Sequence, residues 1–384
     1  MSLYIFDDKQ SQNFLDAKTT RELSSFKALN QKRIPTKNIS DINNTSVMLN
    51  DPKSVLLLTK LNGYVEPALK FCNQNNIPVI AIHCSPDYMP NYIYNCIRGS
   101  SPLFSNLISY FFMYGKKRIA FFGLSLNPDD LYKANRIHNL YSGFTENDIF
   151  YLENSFRYCF DTFKDLRYNY DAIICPNDFA AILLIKELQT IDPDYLNDRF
   201  IIGFMDTYIS RLYHTSLTSI TYDNSDVLSA ISSIYRSINN NRERFLSIDL
   251  RLKSKIKIRA STHNLPIGDT KNTFLSPPAE QKSLVFREFK HLRYKSDPDF
   301  RQIMLIENLL EKMSHIDFSI LYELLSGTKN QKICEKLFIS HQTMQYHMSR
   351  MFKALEVSGK AEFISKLEPF ISLKNLKLFI ELSE

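Results

Sequence analysis

Along residues 1–262, short apolar runs alternate with longer amphipathic stretches. The runs at 3–6, 55–58, 79–83, 118–123, 172–175 and 200–204 are apolar at nearly every position and rich in Val, Ile, Leu and Phe. Unbroken runs of this length read as strands buried on both faces. Further strands are expected within 33–42, 92–96 and 217–222. The segments 12–29, 65–75, 102–114, 128–141, 155–168, 178–190 and 225–239 carry helical spacing. Repeated strand–helix units predict a parallel sheet with helices on both faces. There are too many units for one small sheet, so two α/β subdomains are expected.

The pattern changes after residue 262. Residues 263–300 hold Pro266, Gly268, Pro277, Pro278 and Pro298 among Ser, Thr and charged residues, the composition of a linker. Its second half carries Lys282, Arg287, Lys290, Arg293 and Lys295 against Glu288, a solvated charge run or a segment that follows a nucleic-acid backbone. Residues 301–384 then read as helices only. A helix over 299–313 places Ile303, Ile306, Leu309, Leu310 and Met313 on roughly one side. Its partner is either the following domain or a second chain.

The densest signal lies at 327–362. Ile333 and Leu337 form the apolar stripe of a short helix, and Phe338-Ile339 a tight turn. Ser340 can cap the next helix, because its hydroxyl can accept an orphan backbone N–H. In that helix Met344, Met348, Met351 and Leu355 fall at three- and four-residue spacing, while the opposite face is polar and basic up to Glu356. Two helices joined by a short turn, the second with such a face, suit the major groove of DNA. The candidate DNA contacts are Lys329, Asn330, Ser340, His341, Gln342, Thr343, Gln345, Tyr346, Ser349, Arg350 and Lys353.

This stretch resembles the helix-turn-helix of the LuxR/GerE family of transcription regulators. Gly327, Asn330, Ile333, Leu337, Ile339-Ser340, Thr343, His347, Leu355, Val357, Lys360 and Glu362 carry the resemblance. The preceding helix departs from it, opening with Asp317-Phe318-Ser319. Cys334 stands in place of a small Ala and Ala354 in place of Lys.

In open α/β sheets a ligand binds at the carboxyl ends of the strands. The polar residues there are Asp7-Asp8, His83, the segment after Gly123, Asn177-Asp178 and Asp206-Thr207. Several of these segments resemble the sensor domain of the LacI family. They are Lys116-Lys117-Arg118-Ile119-Ala120-Phe121-Phe122-Gly123, the run from Asp171 through Pro176-Asn177-Asp178 to Ala181, Ile202-Gly203-Phe204-Met205-Asp206, and a closing strand ending in Arg259-Ala260-Ser261-Thr262. The resemblance implies a two-lobed, periplasmic-binding-protein-like fold over 1–262. It also implies ligand contacts at Arg136, Asn177, Asp178 and Asp206, with Asp7, Asp8 and Phe14 at a polar turn and a stacking position. Met205 departs from the Asp usual there, and Asn139 from the usual Gly. LacI-type proteins carry a helix-turn-helix ahead of the first sheet strand; here strand one is expected at Leu3 and the reader stands at the other end.

Composition narrows the remaining classes. The chain has 384 residues, 44% of them apolar, and a net charge of +6, which permits an anionic partner without requiring one. The six cysteines form no Cys-x-x-Cys pair, so neither a zinc site nor a disulfide framework is implied, and no metal or cofactor is expected. No run approaches the ~18 apolar residues of a membrane span. The amino terminus lacks the basic-then-apolar build of a secretory signal, so a cytoplasmic location is expected. No nucleophile–base pair or Gly-rich phosphate loop appears, so the protein is not expected to be an enzyme. The expectation is a ligand-responsive transcription regulator. It has a sugar or sugar derivative as effector, double-stranded operator DNA as partner, and a homodimer as the acting unit. The alternative is a solute-binding protein whose C-terminal helices mediate protein contacts.

Overall fold

The structure, a computed structural model, describes residues 2–6, 34–39, 48, 54–58, 65–82, 91–99, 102–126, 128–240, 247–268, 284–287 and 296–382. The helix expected at 12–29, the candidates Asp7, Asp8 and Phe14, the strand-end His83 and most of the charge run at 282–295 lie outside them.

The described strands of the first lobe are β1 (Leu3–Phe6), β2 (Thr36–Ile39), β3 (Val55–Leu58), β4 (Val79–Ile82), β5 (Asn95–Gly99) and β11 (Asp249–Leu252). They form one sheet in the order β11-β5-β4-β3-β1-β2. Every pairing in it is parallel. Helices α1 (Val65–Gln74) and α7 (Asn224–Asn240) cover this sheet.

The second lobe holds β6 (Ile119–Leu124), β7 (Ile149–Tyr151), β8 (Ala172–Ile174), β9 (Phe200–Phe204), β10 (Thr218–Thr221) and β12 (Lys255–Lys257), in the order β12-β10-β9-β8-β6-β7. It is parallel except at β12, which runs antiparallel to β10 on the sheet edge. Its helices are α2 (Pro102–Met113), α3 (Pro128–Leu140), α4 (Phe156–Lys164), α5 (Asp178–Ile191) and α6 (Tyr208–Leu212). Among the described elements the chain passes between lobes from β5 to α2, from β10 to α7, and from β11 to β12.

Several local expectations shift. The strand expected at 92–96 is β5, three residues later, where Cys96 can pair with Ala81 on one side and Asp249 on the other. The helix expected at 155–168 starts after Ser155, whose hydroxyl accepts from the Tyr158 N–H, and gives way to a 3-10 turn at Arg167–Asn169. Strand β7 is an apolar run of only three residues, too short to register as a period. The closing strand expected up to Thr262 is instead two strands in different sheets, followed by the 3-10 turn Ala260–Thr262. Ser261 Oγ there donates to the Ile201 carbonyl at 2.6 Å and accepts from the Thr218 N–H at 2.8 Å.

The C-terminal part is α8 (Pro298–Glu311), α9 (His315–Leu325), α10 (Asn330–Leu337), α11 (His341–Leu355), α12 (Lys360–Leu367) and α13 (Leu373–Glu381). These helices share one uninterrupted apolar core with the outer face of lobe 2. Helix α8 packs on α5 and α6 on one side and on α11 on the other. Phe300, Ile303, Ile306 and Leu310 on α8 are fully buried. At about 1.5–3 kcal/mol per buried apolar side chain, against ~0.5–1 kcal/mol of rotamer entropy for Ile or Leu, α8 is a member of that core and not a tether. Asp297 fixes its start: the carboxylate accepts from the Asp299 and Phe300 N–H groups and, at 2.7 Å, from Phe156 N–H at the head of α4. The described parts of the expected linker also lie along lobe 2. Leu284 is buried in its core, and Tyr110 and Tyr114 donate to the Leu265 and Pro266 carbonyls.

Candidate functional site

Helices α10 and α11 and the turn between them form the first candidate surface. Ser314 and Asp317 cap α9 reciprocally, the carboxylate accepting from Ser314 N–H (2.7 Å) and hydroxyl (2.6 Å). Asp317 is fully buried and also receives His347 Nδ1 at 2.6 Å and Nη2 of Arg350. Burial opposes its ionisation, but the bonds from Ser314, His347 and Arg350 outweigh that and hold the carboxyl below the usual range. One acid thus caps α9 and sets the rotation of α11.

Helix α11 begins at Ser340, whose hydroxyl accepts from Thr343 N–H at 3.0 Å. Met344, Met348, Met351 and Leu355 turn inward, so the 3.6-residue period leaves the opposite face open. On that face His341, Gln342, Gln345, Tyr346, Ser349, Arg350 and Lys353 are exposed, as is Lys329 at the cap of α10. Thr343 is half-buried beside Ser340. Asn330 is also half-buried: its Oδ1 accepts from Lys360 Nζ at 3.2 Å, tying the head of α10 to α12. Hydrogen-bonding and cationic groups on one exposed helical face match the donor and acceptor edges and phosphates of duplex DNA.

The second candidate lies at the carboxyl ends of the lobe 2 strands. Asn177 caps α5, its Oδ1 accepting from Ala180 N–H at 2.9 Å. Asp178 is fully buried; Oδ2 accepts from the Thr207 N–H (2.8 Å) and hydroxyl (3.0 Å), Oδ1 from the Ser219 hydroxyl (2.6 Å). Burial pushes its carboxyl up to about 6. A Cβ on Gly203 would stand 2.5 Å from that carboxylate, so this close approach needs glycine. Asp206 pairs with Arg211 at 2.7 Å and with Arg259. It follows Met205, and both residues have positive φ (112° and 54°), turning the chain out of β9 into α6. Arg136 is half-buried on α3. Asp178 and Asp206 are therefore engaged within the protein, bracing α5, the end of β9, β10 and α6 against one another.

Other side chains complete this region. Lys133 is buried, with Nζ 2.9 Å from the Pro176 carbonyl, 2.6 Å from Asp129 and 4.5 Å from the centre of the Phe204 ring. Asp130, also buried, accepts from Ser125 Oγ at 2.6 Å, and burial pushes its carboxyl up to about 6. From lobe 1, Arg98 forks Asp249 and reaches the Tyr132 hydroxyl of lobe 2 at 3.4 Å. Phe104 lies against Tyr132 and Phe204. Lys133 and Asp317 are not among the candidates read from the sequence as functional side chains. The spacing Asp129–Lys133 was a legible signal; the partner of Asp317, 30 residues away at His347, was not. Among the described residues no group of His, Cys, Asp and Glu could hold a metal ion, and no helix is long and apolar enough to cross a membrane.

Residues 309–367 match the family of bacterial regulatory proteins, luxR family. The helix-turn-helix is of that type. The match takes in α9 to α12 and the end of α8. No curated protein matches the chain. Solved structures match its larger part. A transcriptional regulator CelR–cellobiose complex is similar at 12% identity and a TM-score of 0.54, over 68% of this chain and 84% of that one. A LacI family transcriptional regulator from Silicibacter pomeroyi is similar at 15% identity and 0.53, over 69% and 100%. A LacI family transcriptional regulator from Enterococcus faecium with bound ribose is similar at 14% and 0.51, over 69% and 100%. At these identities the likeness is one of fold: the α/β part has the architecture of LacI-family sensor domains.

Proposed function

We propose that the chain is a ligand-responsive, DNA-binding transcription regulator. The observation that carries this reading is the exposed polar and basic face of α11, held on a luxR-type helix-turn-helix whose core runs without a break into lobe 2 of a LacI-type sensor fold. The DNA contacts are His341, Gln342, Gln345, Tyr346, Ser349 and Lys353 on α11, with Lys329 on phosphate. Arg350 offers the guanidinium nitrogens that Asp317 does not hold, while Ser340, Thr343 and Asn330 shape the reader and lie beside the backbone. A homodimer on two half-sites gives the contact area that one short helix lacks.

The effector, a sugar or sugar derivative, binds between the lobes at the carboxyl ends of the strands, with Arg136, Asn177, Asp178 and Asp206 as candidate contacts and Asp7, Asp8 and Phe14 as further candidates. Its effect travels through α6. That helix is tied to the cleft side by Asp178–Thr207 and Asp206–Arg211. On the reader side it is tied by Glu307 and by Tyr208 against Phe318. Ligand acts only through its differential affinity for open and closed lobes.

The test is fluorescence anisotropy on duplexes selected from a random pool by the full chain. Gln345→Ala and Lys353→Ala weaken binding by roughly 5- to 100-fold each without lowering thermal stability. Wild-type affinity in both would remove α11 as the reader. Thermal-shift screening against monosaccharides, sugar acids and nucleosides identifies the effector class.

A further inference from the structure

Phe338 is the C-cap of α10, and 94% of its surface is exposed. Its φ of 55° and ψ of 40° put a bulky L residue in the left-handed region. Its neighbours behave otherwise: Leu337 and Ile339 pack against the core. Two costs therefore coincide at one position, an unfavourable backbone conformation and an aromatic ring left in water. Glycine relieves the first and removes the second, and the α10–α11 turn needs only the Phe338 N–H bond to the Cys334 carbonyl, which any residue but proline supplies.

The ring's place in the fold says what covers it. It stands two residues ahead of Ser340, the cap of the reader helix, and three ahead of His341, where the exposed polar face begins. The last turn of α10 before it exposes Glu335 and Lys336, the latter paired with Glu323 at 2.7 Å, so the ring is the exposed apolar group on an otherwise polar stretch leading into the reader. The partner of the adjoining face of α11 is DNA on the reading above, and at this position it must offer an apolar facet to a phenyl ring. The sugar–phosphate backbone has one in the deoxyribose carbons between its phosphates.

We propose that Phe338 packs on the deoxyribose edge of the DNA strand flanking the groove that α11 enters, fixing the depth and register of the reader. The proposal rests on the DNA-binding reading above. A sugar contact is uncharged and indifferent to sequence. Its loss lowers affinity for all duplexes alike and leaves the salt dependence unchanged, because no counterion is released through it.

The test compares Phe338→Gly, Phe338→Asn and Phe338→Tyr in the full chain on a labelled pool of duplexes about three helical turns long, at several salt concentrations. Gly and Asn both accept the left-handed conformation, so the melting temperature rises by a few degrees. Affinity falls in both by on the order of tenfold, with the salt slope unaltered. Tyr keeps the ring and binds as wild type. Stability and binding thus move in opposite directions, which a merely structural turn residue does not produce. Wild-type affinity in the Gly and Asn variants overturns the proposal. If those variants also fail to regulate a reporter in cells, the ring serves a protein partner instead. Wild-type protein that binds no duplex removes the DNA reading and this proposal together, whereas wild-type binding with unaffected variants removes this proposal alone.

Discussion

Replacing Glu307 tests whether the reader is joined to lobe 2 by chemistry or merely rests on it. The Glu307 side chain is fully buried on α8, and its two carboxylate oxygens accept from Tyr208 N–H and Ile209 N–H, each at 2.9 Å. These are the first two residues of α6 and have no partner within that helix. A hydrogen bond to a charged group contributes about 1.5–3 kcal/mol, and a buried N–H left unpaired costs about 1–3 kcal/mol. Glu307→Ala therefore lowers the local stability of the α6–α8 contact by about 3–5 kcal/mol. Glu307→Gln keeps one acceptor and loses roughly half of that. Global unfolding of a chain with several lobes is not a clean two-state reading, so the assay is amide hydrogen exchange. Three kcal/mol corresponds to acceleration on the order of a hundredfold at Tyr208 and Ile209. Exchange at buried lobe 1 positions such as Leu57 and Ile80 stays at wild-type rates. Unchanged exchange at Tyr208 and Ile209 in Glu307→Ala refutes the reasoning. Since Glu307 lies away from the exposed face of α11, the same variant keeps its DNA affinity and loses the effect of ligand on it.

Two further outcomes follow from buried acids of opposite character. Asp178 ionises near 6 in the fold and near 3.9 in an unfolded chain. The folded state holds the proton more tightly, so protonation adds stability as pH falls from about 6 towards 4. Asp178→Asn removes this contribution of up to about 3 kcal/mol, and urea midpoints at pH 7 and pH 5 then differ less than in wild type. Asp317 has the reverse sign: its carboxyl is held below the usual range, so its contribution is complete at neutral pH and is lost as pH falls through the folded value. Asp317→Asn loosens the cap of α9 together with the holds on His347 and Arg350. It costs about 2–4 kcal/mol of reader stability and lowers DNA affinity, measured at pH 7 by amide hydrogen exchange in α9 and by anisotropy; wild-type values there would show that Asp317 does not orient α11.

The strands were legible because burial on both faces demands unbroken apolar runs, and 55–58, 119–124 and 200–204 supply them. The two helices of the reader were legible for a related reason. A local period of 3.6 and a Ser cap are set within a few residues, so Met344, Met348, Met351 and Leu355 announce their own side of α11. What failed locally was short or shared. Strand β7 has three residues and no period, and the run ending at Thr262 divides between two sheets that only the folded chain brings near each other.

At the candidate sites the division is sharper. Residue type and position marked Asn177, Asp178 and Asp206 as polar groups at strand ends, and the exposed face of α11 as polar and basic. Only the tertiary structure decided what those groups hold. Asp178 is engaged by Thr207 and Ser219, Asp206 by Arg211 and Arg259, and Asp317 by His347 and Arg350. Each pairing that spans tens of residues is a choice among many partners, made by packing and by the cost of burying a charge alone. The same holds for the stretch at 327–362. Its helices follow from local spacing, but its attachment through α8, Glu307 and Tyr208 to lobe 2 does not, because the complementary surfaces lie about a hundred residues apart and acquire their shape only when both have folded.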